Sequence, residues 1–333
     1  MSKNFIFKKK QNFLFIAEVG SSHLGNFKKA KKIVKLACES GAHCIKLQIF
    51  TAKNMVNPKY DLKRYEHFKK LELKQAHYIE LLKIIRRSKK LSCASIWDKE
   101  VIHKYNNYID YYKIGSGDLN NFEIIDKIIK YKKPLIISTG LSDTKKIKKV
   151  IKFIQSKNTI YKNKKKLAIL HCNTAYPTPI KDSFIGTINQ IKKKFNLTVG
   201  YSDHLIGDSG IIYAHALGAK IIEKHFTDNI QDNRFRDNQL SLDKNGVIDF
   251  LKKIKYFSAI KKQSLSKSEK KQNNKISFGR SIYAKKNILR GEKFNKENII
   301  SLRPFKGISS SLIFKIYGNK AKKNFKPGDV IIV

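Results

Sequence analysis

Over the first 260 or so positions, short apolar runs alternate with polar stretches of helical period. The runs are FLFIAEV (13–19), CIKLQIF (44–50), LSCASIW (91–97), YYKIGS (111–116), PLIIST (134–139), KLAILHC (166–172), LTVGYSDH (197–204) and KIIEKHF (220–226). Apolar almost throughout, they predict strands buried on both faces. Between the first two, Ala30, Ile33, Val34, Ala37 and Cys38 recur at helical spacing, and Gly41 is placed to end that helix. Eight strand–helix units in succession predict a parallel sheet covered by helices, a (β/α)8 TIM barrel over residues 1–262, with an open doubly wound sheet as the alternative. A last long helix is expected at about 243–262. The aperiodic polar stretch 263–279 reads as a linker. Residues 280–333 form a small β-rich domain punctuated by Arg290-Gly291, Lys306-Gly307 and Pro327-Gly328.

Polar residues interrupt the ends of these runs, where a parallel barrel gathers its chemistry. They are Glu18, Lys46, Gln48, Ser95, Lys113, Ser116, Ser138, His171, Ser202, His204, Glu223 and His225. Residues two apart on a strand share a face, so Lys46 goes with Gln48, Ser202 with His204, and Glu223 with His225. Polar groups in apolar strands are costly unless partnered. His204 and His225 close consecutive strands and could share one divalent metal, with Glu18, water or substrate completing the shell. Lys46, Lys113, Ser95, Ser116 and Ser138 suit a phosphate or carboxylate.

Composition changes this picture less than it first suggests. The formal charge is +44, yet only eight of the 70 basic residues are arginine, and the lysines spread over almost every expected helix. That distribution describes a solvated coat and not a nucleic-acid surface, which would favour forked guanidinium groups. Cys38, Cys44, Cys93 and Cys172 show no paired spacing, as in a reduced cytoplasmic protein. No run approaches the roughly 20 apolar residues of a membrane span, and the N-terminus lacks a cleavage site, so a soluble protein is expected.

The motifs IAEVGSSHLG, IKLQIF, YKIGSGD, IISTG, HCNTAYPTP, GYSDH and EKHFT, in this order, resemble those of the sialic acid synthase (N-acetylneuraminate synthase) family, which includes legionaminate and pseudaminate synthases. RSIYAKKNILRGEKFNKENIISLRP is similar to that family's antifreeze-like (SAF) domain. The resemblance implies a (β/α)8 barrel that condenses phosphoenolpyruvate with an N-acyl hexosamine such as N-acetylmannosamine, or a diacetylated hexosamine, releasing phosphate by C–O cleavage. By this resemblance His204 and His225 hold the metal, usually Mn2+, with Mg2+ or Co2+ as alternatives. Lys46, Ser95, Lys113, Ser116, Ser138, Thr174 and Ser202 would bind phosphoenolpyruvate. Gln48, Tyr176 and Asp237 would contact the sugar, and Glu18 would lie at the reacting carbons. Arg303 would be lent by the SAF domain to the partner's site, which implies a domain-exchanged homodimer.

The chain departs from the family pattern in two places. SHLG (Ser22–Gly25) stands where the family commonly has Asn-His-Asn-Gly, and DNIQDNRFRDNQLSLD follows EKHFT in place of Gly-Pro-Asp. Thr174, with Asn173 beside it, stands at a family asparagine. These changes bear on the acceptor more than on the reaction. Two other readings are an aldolase of the Kdo-8-phosphate synthase class, which generally lacks the SAF tail, and a non-catalytic sugar-binding barrel.

Overall fold

A computed structural model describes residues 13–260, 268–269 and 274–332. It divides into two compact units, residues 1–260 and 261–333. In the first, strands β1 (Leu14–Glu18), β2 (Cys44–Ile49), β3 (Leu91–Ile96), β4 (Tyr111–Ile114), β5 (Leu135–Ser138), β6 (Leu167–Cys172), β7 (Thr198–Asp203) and β8 (Ile221–His225) pair in sequence order and close into a parallel barrel. Closure, with β8 returning to β1, excludes the open doubly wound sheet.

Helices form the outer layer. They are α1 (Phe27–Glu39), α2 (Leu62–Leu71), α3 (Gln75–Arg87), α4 (Ile102–Asn106), α5 (Phe122–Ile129), α6 (Thr144–Lys157), α7 (Thr187–Lys194), α8 (Ser209–Ala216) and α9 (Lys244–Ile260). Helix α1 shows how the sequence encodes them. The Asn26 side chain accepts the Lys29 N–H at its start. Ala30, Ile33, Val34, Ala37 and Cys38 face inward, and Gly41 turns away at φ +89°. These residues join Phe15, Ala17, Ile45 and Leu47 in the large core between strands and helices.

The barrel interior is layered by the two-residue period of the strands. Leu14, Ile16, Cys44, Cys93, Tyr111, Ile136, Ala168, Leu170 and Ile221 fill its lower part as a separate apolar cluster. Gly200 belongs at this level because a side chain could not fit: its Cβ would lie 2.2 Å from the Ile221 carbonyl oxygen. One step toward the C-terminal strand ends, the inward positions become Glu18, Lys46, Lys113, Ser138, Ser202 and Glu223, all buried. The apolar floor thus carries a polar layer, and that layer is where a site can form.

The second unit pairs β9 (Ser281–Ala284) with β10 (Ile299–Leu302) in an antiparallel ribbon. Ile282, Phe294, Ile299 and Phe325 lie in its own small core. Gly291 and Gly328 take φ +88° and +87° at two of the expected turns. A short helix, α10 (Asn274–Phe278), precedes the ribbon. Of the expected linker 263–279, residues 263–267 and 270–273 lie outside the described residues.

The SHLG segment is a tight turn after β1. Its Gly25 sits at φ +75°, where a Cβ would come within 2.1 Å of the Lys70 carbonyl oxygen. Buried His23 accepts the Gly25 N–H through Nδ1 at 3.1 Å. Burial, aided by Lys29, lowers the His23 pKa to about 4. A folded-state pKa below the unfolded value of 6.5 gives stability that is present above pH 6.5 and lost as pH falls toward 4. The loss amounts to about 3 kcal/mol. Melting temperature should therefore fall from pH 7 to pH 4.5, and less steeply in His23→Gln. Parallel curves for the two proteins would show that His23 is not the titrating group.

Candidate active site

Register sets the centre of the polar layer. Glu18 of β1 stands opposite Lys46 of β2 on one side and His225 of β8 on the other. Ser202 of β7 stands opposite Glu223 of β8, and Gln48 of β2 opposite Ser95 of β3. Adjacent strands therefore bring complementary side chains together without long loops.

The result is a buried ionic network. Lys46 Nζ lies 2.8 Å from Glu18 Oε1 and 3.1 Å from Glu223 Oε1. Lys113 Nζ lies 2.9 Å from Glu223 Oε1, and Ser202 Oγ donates to the same oxygen at 2.9 Å. Gln48 Nε2 donates to Glu18 Oε1 at 2.7 Å. Glu223 is thus the hub of the cationic pair, a role that sequence reasoning missed; its alternation with His225 showed the face but not the partners. Burial alone would raise the Glu18 carboxyl, but Lys46, His225 and Lys113 hold it well below the usual carboxylate range. Burial likewise opposes the charge on Lys46, and Glu18 with Glu223 keeps its pKa above the ordinary lysine value. Both groups are charged at neutral pH.

The histidines sit beside this network, their ring centroids 5.4 Å apart. Burial, reinforced by His225, lowers the His204 pKa to about 3, so its imidazole is neutral. Its Nδ1 lies 2.6 Å from the Asn173 carbonyl oxygen, which can only accept, so Nδ1 carries the proton and Nε2 presents a lone pair. His225 Nε2 lies 3.6 Å from Glu18 Oε2, and its Nδ1 lies 3.6 Å from Asp237 Oδ2. Among the described residues, His225 Nδ1, Asp237 Oδ1 and Glu223 Oε2 are buried without a hydrogen-bond partner. Two imidazoles with available nitrogens beside orphaned carboxylate oxygens fit a divalent ion. Among the described residues no three His, Cys, Asp or Glu side chains group closely enough to hold a metal by themselves. Water and substrate would therefore supply the remaining ligands.

Lys224 serves a different face. It points toward the helices, where its Nζ lies 2.6 Å from Asp203 Oδ2 and also donates to the Leu205 carbonyl. The pair fixes the turn that follows His204 and ties it to the strand ending in His225. His171 also faces outward, contrary to its grouping with the mouth residues. It packs on Tyr201 and contacts the Ser183 carbonyl through Nε2.

Two adjoining cavities open above the network. The first, of 690 Å³, is lined by Glu18, Lys46, Gln48, Ser95, Lys113, Ser116, Ser138, Thr174, Tyr176, Ser202 and His204, among others. The second, of 760 Å³, includes Gln48, Tyr176, His225 and Asp237. Tyr176 serves both, its ring 3.9 Å from that of His204. Sequence reasoning also missed Trp97, Asp118, Arg64 and Arg236, which line one or both cavities, Arg64 from α2 and the others from the segments after β3, β4 and β8. Trp97 Nε1 donates to Asp118 Oδ2 at 2.5 Å. Arg303 belongs to the second unit, where its guanidinium lies 5.5 Å from the centre of the Phe278 ring. Among the described residues no helix is long and apolar enough to cross a membrane.

Comparison with known proteins covers nearly the whole chain. Residues 33–266 match the NeuB family and residues 279–331 the SAF domain. The chain is 32% identical to N,N'-diacetyllegionaminic acid synthase of Campylobacter jejuni, across 96% of this chain and 98% of that protein. It is 31% identical to pseudaminic acid synthase of the same organism, across 98% and 97%. Among solved structures, N-acetylneuraminic acid synthetase of Leptospira borgpetersenii in complex with citrate superposes with a TM-score of 0.72 at 22% identity, across 82% of this chain and 96% of that one, and so shares the fold.

Proposed function

Because the chain belongs to the NeuB family of phosphoenolpyruvate-dependent sugar-acid synthases, we propose that it condenses phosphoenolpyruvate with an N-acyl hexosamine and water, giving a sialic-acid-type nonulosonate and phosphate. The observation that carries this reading is the pair of buried ammonium groups, Lys46 and Lys113, beside the neutral His204 and within reach of four serines on one cavity.

In this reading phosphoenolpyruvate lies in the first cavity. Lys46 and Lys113, with Ser95, Ser116, Ser138, Thr174 and Ser202, orient its phosphate and carboxylate and stabilise the phosphate as it departs. The acceptor lies in the second cavity against Gln48, Tyr176 and Asp237. As C3 of the enol bonds to the acceptor's aldehyde carbon, Glu18, held as a carboxylate at the border between the two, accepts a proton from the water that attacks C2. The tetrahedral adduct then collapses with cleavage of the C–O bond. His204 and His225 would hold the divalent ion, which when bound polarises the acceptor's aldehyde oxygen. Charge balance favours such an ion: the two lysines are already offset by Glu18 and Glu223, so a multiply charged anion enters a site with no net cationic surplus.

N-acetylmannosamine is the leading acceptor, Mn2+ the leading metal, and a cytoplasmic domain-exchanged homodimer the proposed form, with Arg303 serving the partner's site. The test is phosphate release from phosphoenolpyruvate with Mn2+, first with N-acetylmannosamine and then with diacetylated hexosamines. Release should require one of these sugars and stop on chelation. With only two protein imidazoles on the ion, added Mn2+ should restore it. Metal-independent release would remove His204 and His225 from the proposed roles. Metal bound without turnover on any sugar would favour the sugar-binding barrel.

A further inference from the structure

The end of the barrel opposite the active site carries a cavity of its own, of 590 Å³. It opens among the segments that lead into β3, β4 and β5. Five cationic residues line it against one carboxylate, Asp110, which accepts the Ser92 N–H at 3.0 Å. Two of the five are fixed in place by main-chain carbonyls: Lys90 donates to Ala42 at 2.8 Å, and Lys133 donates to Ile109 at 2.7 Å and to Asn106. The other three, Arg86, Lys89 and Lys132, are exposed, and their side chains form no ion pair among the described residues. In a chain with 62 lysines such groups would ordinarily belong to the solvated coat. Their backbone argues otherwise. Lys89 follows α3 at φ +55° and Lys132 follows α5 at φ +56°, the left-handed conformation that helix ends usually give to glycine. This chain does give it to glycine after α1 and α8, with Gly41 at φ +89° and Gly218 at φ +95°. A lysine that only meets water gains nothing from a strained position, and both strained lysines stand at one cavity.

Converging ammonium and guanidinium groups with a single counter-charge suit a multiply charged oxyanion. Neutral groups complete the wall. Asn106 accepts the Tyr112 hydroxyl at 3.0 Å through its side-chain oxygen, which leaves its NH2 to donate. The rings of Tyr108 and Tyr131 are half-buried beside it. We infer that this cavity binds a diphosphate anion, free pyrophosphate or the diphosphate of a nucleotide, through Arg86, Lys89 and Lys132. The site lies away from the lysines and serines of the opposite mouth and does not depend on the reaction assigned to them.

Calorimetric titration of the full chain with pyrophosphate, ADP and UDP tests this, in EDTA so that no divalent ion bridges the anion to His204 and His225. Anion held at the opposite mouth is common to parent and variants and subtracts out. Lys89→Gly combined with Lys132→Gly should weaken one saturable step by roughly tenfold or more, and Arg86→Gln should do the same without touching the backbone. Without anion the glycine variant should melt about 2–4 °C above the parent, because the backbone strain is relieved. Affinity lost while stability is gained separates a built site from a damaged fold. Lys148→Ala combined with Lys152→Ala, at two exposed lysines of α6, removes the same charge from the coat and should change the affinity by less than about twofold. Tighter binding of ADP or UDP than of pyrophosphate places a base against Tyr108 or Tyr131 and identifies a nucleotide, whereas equal or weaker binding identifies the diphosphate alone as the ligand. No saturable step in the parent, unchanged affinity in both cavity variants, or an equal loss in the α6 control overturns the inference.

Discussion

Replacing Glu18 by glutamine is expected to lower kcat for phosphate release by roughly 1,000-fold, within the range for loss of a positioned general base. Glutamine matches glutamate in shape, and its carbonyl can still accept the hydrogen bonds from Lys46 and Gln48 that now end on Oε1. It cannot take a proton at neutral pH. Lys46 keeps its second carboxylate, Glu223, at 3.1 Å, so the network stays paired and the barrel stays folded. Because Glu18 offsets a lysine in the free site, KM for phosphoenolpyruvate should hold or fall while kcat collapses. Steady-state phosphate release on the folded variant checks this, and a kcat within tenfold of the parent would remove Glu18 from proton transfer.

The second large effect is on stability. Glu223→Leu removes the oxygen shared by Lys46, Lys113 and Ser202. Lys113 is then a buried ammonium without its carboxylate, and breaking such a pair from one side costs about 3–5 kcal/mol. A fall of about 10 °C in melting temperature follows for a unit of this size. The variant should also recover more of that loss than the parent gains when inorganic phosphate or phosphoenolpyruvate is added, because the anion takes the place of the carboxylate. Thermal melts with and without ligand read both effects. An unchanged melting temperature would mean that Lys113 finds another partner.

These effects rest on a layer that was partly legible in the sequence. The eight apolar runs, their order and the helical spacing of Ala30 to Cys38 carry the barrel, because each strand must be apolar on both faces and each helix on one. Alternation also placed Lys46 with Gln48 and Ser202 with His204. It did not show that Glu223 holds both lysines, because which side chains meet across a closed barrel depends on register between β4 and β8, which lie 110 positions apart in the chain. His171 misled for a related reason. KLAILHC is apolar on both faces, so nothing in it distinguishes inward Leu170 and Cys172 from outward His171. Arg64 lies on the exposed side of α2, where a lysine-rich helix gives no sign of which polar residue meets a site, and Arg236 lies in the irregular segment after β8; only the fold brings them to one cavity.

The most direct test of the proposed reaction follows the enol oxygen. Phosphoenolpyruvate labelled with 18O at its bridging oxygen is incubated with the chain, Mn2+ and each acceptor in turn, and the products are weighed by mass spectrometry. C–O cleavage predicts a nine-carbon keto acid without label and inorganic phosphate that carries it. Label retained in the keto acid, or phosphate released with no new carbon–carbon bond, would contradict the account.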